Sequence, residues 1–364
     1  MSHPVFLSIG EVMIRDTPQD GERLERTRSV HLSTAGSEFS IAVGVSRLGN
    51  QSRFITRLPD NPYGRMIQNV AHEQSVDSSF FVWGQPTDLV GRYLYEVGVS
   101  PRAGVGIYQR KFSAASLLDA KSVDWKLALK DVKLFHTSGI TLGLSFHSEY
   151  TKNYLLDCVL NASSARGADA LFGLDINYRG TLWSKEQMLP TVETVLRSGS
   201  GVQMLITSIE DCANFFDLGY GKLSPKDILA GVQYTFEPEP LRKLSEEFLS
   251  RYGLRCLCLT KRKIISSSLN TWMSAVVLDG QGVISEKELQ FKVVDRLGGG
   301  DAWASGFYTG ILEEGLTMEG ISKGLKLGDA AVCFQQTLMF DLPLLNRKEV
   351  ELLASGNASE RVQR

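Results

Sequence analysis

Val293-Val294-Asp295-Arg296-Leu297-Gly298-Gly299-Gly300-Asp301-Ala302-Trp303-Ala304-Ser305-Gly306-Phe307 is the stretch around which the rest of the chain is read. Three consecutive glycines follow an apolar run that reads as a strand, and a helical pattern follows them. Glycine alone lets backbone approach a ligand this closely, and a helix beginning here aims several unpaired N–H groups at one point. That arrangement suits a phosphate, and above all the extra charge of a phosphoryl group in transfer. Asp301 sits at the lip of the turn and has two readings. It takes a proton from a hydroxyl nucleophile, or it simply caps the helix. The run is not a Walker A loop, since no lysine followed by Ser/Thr comes after it. It is not GxGxxG either, because Trp303 stands three residues after Gly300. A different phosphoryl-transfer architecture is required.

Outward from that turn, apolar runs of strand length alternate with segments of helical period. The strand candidates are Val5-Ile9, which ends in Gly10-Glu11, then Val132-Phe135, Ala170-Leu174, Val202-Thr207, Leu254-Leu259 and Met273-Leu278. The helix candidates are Glu38-Leu48, Tyr63-Gln74, Phe146-Ser164, Lys185-Arg197, Pro240-Tyr252, Asp301-Glu313 and Met318-Gln335. In the first of these, Phe39, Ala42, Val43 and Val45 fall on one face. Alternation of this kind predicts an α/β fold with a mainly parallel sheet flanked by helices. No repeat, low-complexity tract or linker divides the chain, so one domain is expected over 1–364. Two segments, about 12–34 and 86–117, break the alternation. Pieces such as Gly91-Arg92-Tyr93-Leu94-Tyr95-Glu96 and Gly106-Ile107-Tyr108-Gln109-Arg110 read as exposed strands of a small β lid over the carboxyl ends of the main sheet.

Composition narrows the partners. The 364 residues are 43% apolar and 22% charged, with 34 glycines, which is ample for a large core. Thirty-nine basic against 41 acidic residues give a net charge of -2. That balance argues against wholesale binding to nucleic acid or to an anionic membrane, so an anionic ligand must be held by placed groups. Apolar runs are too short to span a bilayer, and Met1-Ser2-His3-Pro4-Val5 shows no secretory pattern. Cys158, Cys212, Cys256, Cys258 and Cys333 are scattered and do not cluster with histidines. They read as reduced core thiols of a cytoplasmic protein.

The glycine stretch resembles the C-terminal signature of the ribokinase-like (PfkB-type) carbohydrate kinases, D-x-x-G-A-G-D-A-F-x-x-G. It departs at Gly299, where alanine is usual, and at Trp303, where phenylalanine is usual; neither change removes an N–H donor. Ala35-Gly36-Ser37-Glu38-Phe39-Ser40-Ile41-Ala42 with Arg47-Leu48-Gly49 is similar to the N-terminal G-G-x-x-x-N-x-A…R-L-G signature, with Ala35 and Ser40 as departures. The likeness runs from Gly10 to about Leu353. Within the family, the lid pieces with Pro101-Arg102 and Tyr108-Gln109-Arg110, and Asp175-Ile176-Asn177-Tyr178-Arg179-Gly180-Thr181-Leu182-Trp183, resemble the 2-keto-3-deoxygluconate kinase branch. That branch carries a Y-x-R motif and a D-x-N-x-R-x-x-L-W motif.

The resemblance implies a ribokinase-like fold and a kinase using ATP and Mg2+, with a monovalent cation as a further candidate. It implies Asp301 as the base and the N–H groups of Gly298, Gly299 and Gly300 as the anion hole. Substrate contacts fall on Gly36, Tyr93, Tyr108, Arg110, Arg179, Asp301 and Asp341. Guanidinium forks suit a carboxylate or keto-acid end, whereas a neutral sugar calls mainly for amides and hydroxyls. Simple packing of Tyr93 and Tyr108, a solvated Arg110 and an Asx-type bond at Asp175 are the structural alternatives. On the nucleotide side Ser208-Ile209-Glu210-Asp211 stands where the family has N-x-x-E. Asp211 is there the candidate for magnesium through water, and Ser208 is either a nucleotide contact or a helix cap. Thr260, in Thr260-Lys261-Arg262, stands where the family has a glycine-rich nucleotide loop, and Ser266–Trp272 is polar enough for a loop. Asp329 is expected near the adenine.

The expected activity is ATP-dependent phosphorylation of a hydroxyl of a sugar acid, foremost 2-keto-3-deoxygluconate to its 6-phosphate. The rivals are a kinase for a neutral sugar such as fructose and a non-catalytic sugar or nucleotide sensor on the same fold. A homodimer paired through the lid is expected, with no nucleic-acid or membrane partner.

Overall fold

The computed structural model describes residues 5–19, 21–146, 152–199 and 201–357. The short apolar runs form the middle of the main sheet because both of their faces are covered. Val5–Ile9, Val132–Ser138 and Met204–Thr207 are almost wholly buried, as strands flanked by helices on both sides must be. Among the described residues this sheet has eleven strands. Its parallel part runs in the order Cys256–Ser266, Met204–Thr207, Leu171–Asp175, Val132–Ser138, Val5–Ile9, Gln51–Pro59 and Val76–Asp77. The chain therefore builds outward in both directions from Val5–Ile9. The strand order reverses there, which opens a crevice at the carboxyl ends of the strands. Antiparallel strands Leu269–Leu278, Gln281–Ile284 and Leu289–Lys292 finish one edge.

Two hydrophobic cores lie on the two faces. One gathers Phe135, Phe172, Met188, Phe248 and Leu257; the other holds Phe6, Phe39, Phe54, Cys258, Trp303 and Phe307. The second core is closed by helices Gly299–Glu314 and Met318–Gln335, which touch backbone to backbone. A Cβ on Gly310 would lie 2.4 Å from the Gly324 nitrogen, so any side chain there would push the pair apart. This contact fixes where the first helix begins, and that beginning is the glycine turn.

A separate four-stranded sheet pairs Val30–Ala35, Met13–Pro18, Arg92–Glu96 and Val105–Gln109 in that order. Its inner strand Met13–Pro18 is buried along its whole length, while Val105–Gln109 is exposed throughout. Arg15 ties this sheet to the main body. Its guanidinium is fully buried; Nη2 donates to Asp295 Oδ2 at 2.5 Å and Nη1 to Asp341 Oδ1 at 2.7 Å.

Several local expectations change. The helix read from Phe146 starts at Tyr154, capped by the Asn153 side chain on the Leu156 N–H; residues 147–151 of that reading lie outside the described residues. A short helix, Gly139–Leu144, precedes it, capped by Ser138. The loops expected at 260–262 and 266–272 are instead one long hairpin, Cys256–Ser266 with Leu269–Leu278. Branched and aromatic residues Ile264, Ile265, Thr271 and Trp272 favour extended backbone there, leaving only Ser267-Ser268 to turn. The strand before the glycines is Leu289–Lys292, ending short of Val293. All five cysteines are buried and unbridged.

Candidate active site

The helix Gly299–Glu314 takes Gly298 as its N-cap, at φ +74°. A Cβ at Gly298 would lie 2.3 Å from the Asp341 carbonyl oxygen, and one at Gly299 2.4 Å from Gln336 Nε2. These two glycines thus let the turn pack against the segment that carries Asp341. Gly300 differs: its Cβ position has no neighbouring atom within 4 Å, so the helix N-terminus opens onto free space. Asp301 is not the cap. It is the third residue of the helix, and its Oδ1 accepts a 2.6 Å bond from Ser37 Oγ, which itself accepts from Asn177 Nδ2 at 3.0 Å.

The Asp301 carboxyl is pushed up to about 7, by burial first and then by the charges of Glu38 and Asp341, against the opposing bond from Ser37 and the charge of Arg179. Asp175, at the end of Leu171–Asp175, is pushed up to about 8 by burial and by Asp301 and Asp211. Its Oδ1 accepts from the Asn177 N–H at 2.9 Å, the Asx-type bond, and Asn177 takes a positive φ of 35°. Asp211 is raised by burial as well, while the Ser208 hydroxyl accepts from the Asp211 N–H and caps Ile209–Phe216. Arg179 is the positive neighbour common to Asp175, Asp211 and Asp301. Its Nη1 donates to the adjacent Tyr178 carbonyl at 2.9 Å, and no salt bridge ties it to a carboxylate among the described residues.

The small sheet closes the other side. Tyr93 is buried, donates to Asp341 Oδ1 at 2.6 Å, and stacks on Tyr108 at 5.1 Å between centroids. Tyr108 is 45% exposed, so only the outer ring of the pair remains open to a ligand. Burial raises the Asp341 carboxyl, and Arg15 and Tyr93 oppose that rise. Arg110 is buried and bound to Glu11, with Nε at 2.8 Å and Nη2 at 2.6 Å from Oε2. Gly36 caps Ser37–Arg47 and brings that helix against the same residue: a Cβ there would lie 2.1 Å from the Glu11 carbonyl oxygen.

Of the expected site residues, the glycine turn, Asp301, Gly36, Arg179, Asp211, Tyr93, Tyr108, Arg110 and Asp341 thus line one region. Ser208 is used as a helix cap. Thr260 lies inside the long hairpin, opposite Ser274, rather than in a loop. Asp329 is corrected outright: its oxygens accept from Trp272 Nε1, Trp303 Nε1, Ser274 Oγ and Ser285 Oγ. Four donors satisfy a carboxylate, so it is a sealed core group and not a contact for a base. Sequence reasoning missed Glu11, Arg15, Ser37, Glu38 and Asp295 as members of this region. Glu38 is fully buried, bonded by Ser138 Oγ and Thr141 Oγ1 at 2.6 Å each, and raised by burial. The signal for it was an acidic residue in the first turn of an otherwise apolar helix.

The model of the pfkB family of carbohydrate kinases matches residues 6–216. Along the full sequence the chain is 27% identical to a 2-dehydro-3-deoxygalactonokinase of Haloferax volcanii over 354 residues, covering 96% of each. It is 26% identical to a 5-dehydro-2-deoxygluconokinase of Clostridium perfringens over 320 residues, covering 88% of this chain and 84% of that one. Its fold superposes on a 2-dehydro-3-deoxygluconokinase of Thermotoga maritima with a TM-score of 0.84 at 27% identity, covering 97% of this chain and 99% of the other.

Proposed function

Because the chain belongs to the pfkB family of carbohydrate kinases, we propose that it transfers the γ-phosphoryl group of ATP to a hydroxyl of a sugar acid, foremost 2-keto-3-deoxygluconate to its 6-phosphate. The observation that carries this reading is the pairing of an open glycine turn with a carboxyl tuned to about 7 at its lip, beside the positive charge of Arg179. The Asp301 carboxylate accepts the proton of the attacking hydroxyl, with Ser37 and Asn177 fixing its orientation. The N–H groups of Gly298, Gly299 and Gly300 receive the charge that builds on the transferring phosphoryl oxygens. Arg179 holds the acidic end of the acceptor. Arg110, already neutralised by Glu11, offers its remaining N–H groups to the same molecule, and Tyr108 supplies a face over Tyr93.

The residues fit a nucleotide with its metal. Space above Gly300 receives the phosphates, and no group of three or more His, Cys, Asp or Glu among the described residues is arranged to hold a metal by itself. Magnesium would arrive on the nucleotide, with Asp211 reaching it through water, and supplies charge neutralisation. The four-stranded sheet acts as a lid that keeps water from the donor. Its edge strands expose Val30, Leu32, Val105 and Ile107, which favours pairing of two lids in a homodimer. Light scattering at micromolar concentration checks that pairing, and a monomer there would contradict it. No helix among the described residues is long and apolar enough to cross a membrane. Five unbridged thiols favour a reducing cytoplasm.

The decisive assay is ADP formation with magnesium and ATP against 2-keto-3-deoxygluconate, its galactonate epimer, gluconate, fructose and ribose, with Asp301→Asn alongside. Turnover on the keto-deoxy acids, reduced by about 10²–10⁴ in the variant, is expected. Turnover on neutral sugars alone would overturn the acceptor, and none at all would overturn the kinase.

A further inference from the structure

The chain just before the glycines is shaped by a carboxylate. Asp295 is fully buried, and its Oδ1 accepts from the Leu297 N–H at 3.2 Å, which bends the backbone immediately ahead of Gly298. Its Oδ2 accepts from the Phe340 N–H at 3.1 Å and so ties this bend to the segment that carries Asp341. The Asp341 carbonyl in turn packs where a Cβ of Gly298 would stand. Asp295 and Asp341 thus flank the glycine turn, the first with a side chain 0% exposed and the second 13%. Two carboxylates so far out of water repel each other unless a cation stands between them.

That cation comes from the small sheet. Arg15, on the strand Met13–Pro18, reaches Asp295 through Nη2 and Asp341 through Nη1, so one planar guanidinium serves both. Its Nε donates to Thr17 Oγ1 at 2.7 Å, and its Cζ lies 4.7 Å from the centroid of the Tyr95 ring and 5.4 Å from that of Phe340. These hydrogen bonds and rings fix the plane of the fork. Tyr93, opposite Arg15 on the neighbouring strand Arg92–Glu96, donates to the same Asp341 Oδ1 and stacks on Tyr108. Direct contacts therefore run from the Tyr108 ring through Tyr93, Asp341, Arg15 and Asp295 to the backbone one residue before the first glycine.

We propose that Arg15 is a positioning residue for phosphoryl transfer: seated with the small sheet, it holds Asp295 and Asp341 so that the glycine turn between them aims its N–H groups. The inference rests on the phosphotransfer reading and gives the small sheet a task beyond covering the site. The anion hole takes its working shape only while the sheet that carries Arg15 is in place. A reacting group misplaced by about 1 Å loses on the order of 10²-fold in rate, which sets the scale of what the brace protects.

The experiment compares the wild type, Arg15→Lys, Thr17→Val and Val195→Ala by steady-state kinetics, melting curves and hydrogen exchange of the peptide spanning 293–307. Arg15→Lys keeps the charge and loses the fork; Thr17→Val loosens the guanidinium and leaves both carboxylates paired. Val195, buried in the core on the other face of the sheet, is the control for lost stability alone. Well below its melting temperature, Arg15→Lys should lose roughly 10- to 100-fold in kcat with the KM for ATP little changed. Thr17→Val should lose less in the same way, and exchange over 295–300 should quicken in both. Val195→Ala should match the wild type in kcat and in exchange over that stretch. An unchanged kcat in folded Arg15→Lys, a rise in KM alone, or an equal loss in Val195→Ala would overturn the positioning role and leave the kinase standing. If Arg15→Lys does not fold, Thr17→Val decides by the same readouts. In a wild type without turnover, faster exchange in the variant would keep the brace and remove the kinase, and unchanged exchange would remove both.

Discussion

Ser37 donates its hydroxyl to Asp301 Oδ1 across 2.6 Å, from a different helix and 264 residues away in sequence. A hydrogen bond to the ionised form lowers a carboxyl pKa, so this contact opposes the burial that raises Asp301. Catalysis by the carboxylate should therefore rise with pH through about 7 in the free enzyme. In Ser37→Ala the limb should move to higher pH, with the plateau at high pH much less affected. A pH profile of kcat/KM checks this; a limb that stays put would separate Ser37 from the titration.

Arg179 offsets three carboxyls at once, those of Asp175, Asp211 and Asp301. Arg179→Glu should reduce kcat/KM for an acidic acceptor by about a hundredfold or more, the cost of losing a charged hydrogen bond and adding a repulsion. Use of a neutral sugar at forced concentration should fall far less. Side-by-side kinetics on gluconate-type acids and fructose decide it, and equal losses would remove Arg179 from acceptor choice.

Arg15 bears on stability. Burial works against its charge, yet Asp341 and Asp295 hold its pKa above the ordinary value. Arg15→Met strips both carboxylates of their partner, and breaking a buried pair in this way costs about 3–5 kcal/mol. Urea unfolding should show that loss. Arg15→Met with Asp295→Asn and Asp341→Asn should recover part of it, because the stranded charges are gone.

His136 predicts an acid response unrelated to catalysis. It is fully buried between Phe6 and Tyr308, its Nδ1 bonded to the Tyr308 hydroxyl at 2.9 Å, and burial lowers it to about 3. The unfolded chain takes up this proton near pH 6.5 and the folded one does not. The contribution is therefore complete above that pH and is lost progressively as the pH falls towards 3. By pH 5 the loss is about 2 kcal/mol. The raised carboxyls tilt stability the other way, so the readout is a difference. The gap in urea midpoint between pH 7 and pH 5 should shrink in a His136→Phe, Tyr308→Phe double variant.

Elements and site residues differed in how far they could be read from sequence, for local reasons. The buried strands and the helix Met318–Gln335 were legible because their apolar patterns are continuous. Gln51–Pro59 was not, because Arg53 and Arg57 interrupt it; both reach ion pairs, with Asp77 and Asp88. The glycine turn and Asp301 were legible because backbone chemistry writes itself into neighbouring residues. Glu11 and Arg110, or Glu38 and Ser138, are 99 and 100 positions apart. No local pattern marks such pairs. Asp329 misled because an acidic residue on an apolar helix reads equally as a ligand contact or as the hub of two indoles and two serines.

The strut of Arg15 has a consequence for biosynthesis. Its second carboxylate, Asp341, lies 326 residues downstream. At roughly 5–20 residues per second of translation, that is roughly 16–65 s during which the strand Met13–Pro18 carries a cation without its full pair of counter-charges. This strand of the small sheet emerges among the first residues from the ribosome and is among the last to be locked. A nascent chain stalled before Asp295 should leave the small sheet open to protease, and one carried past Asp341 should protect it.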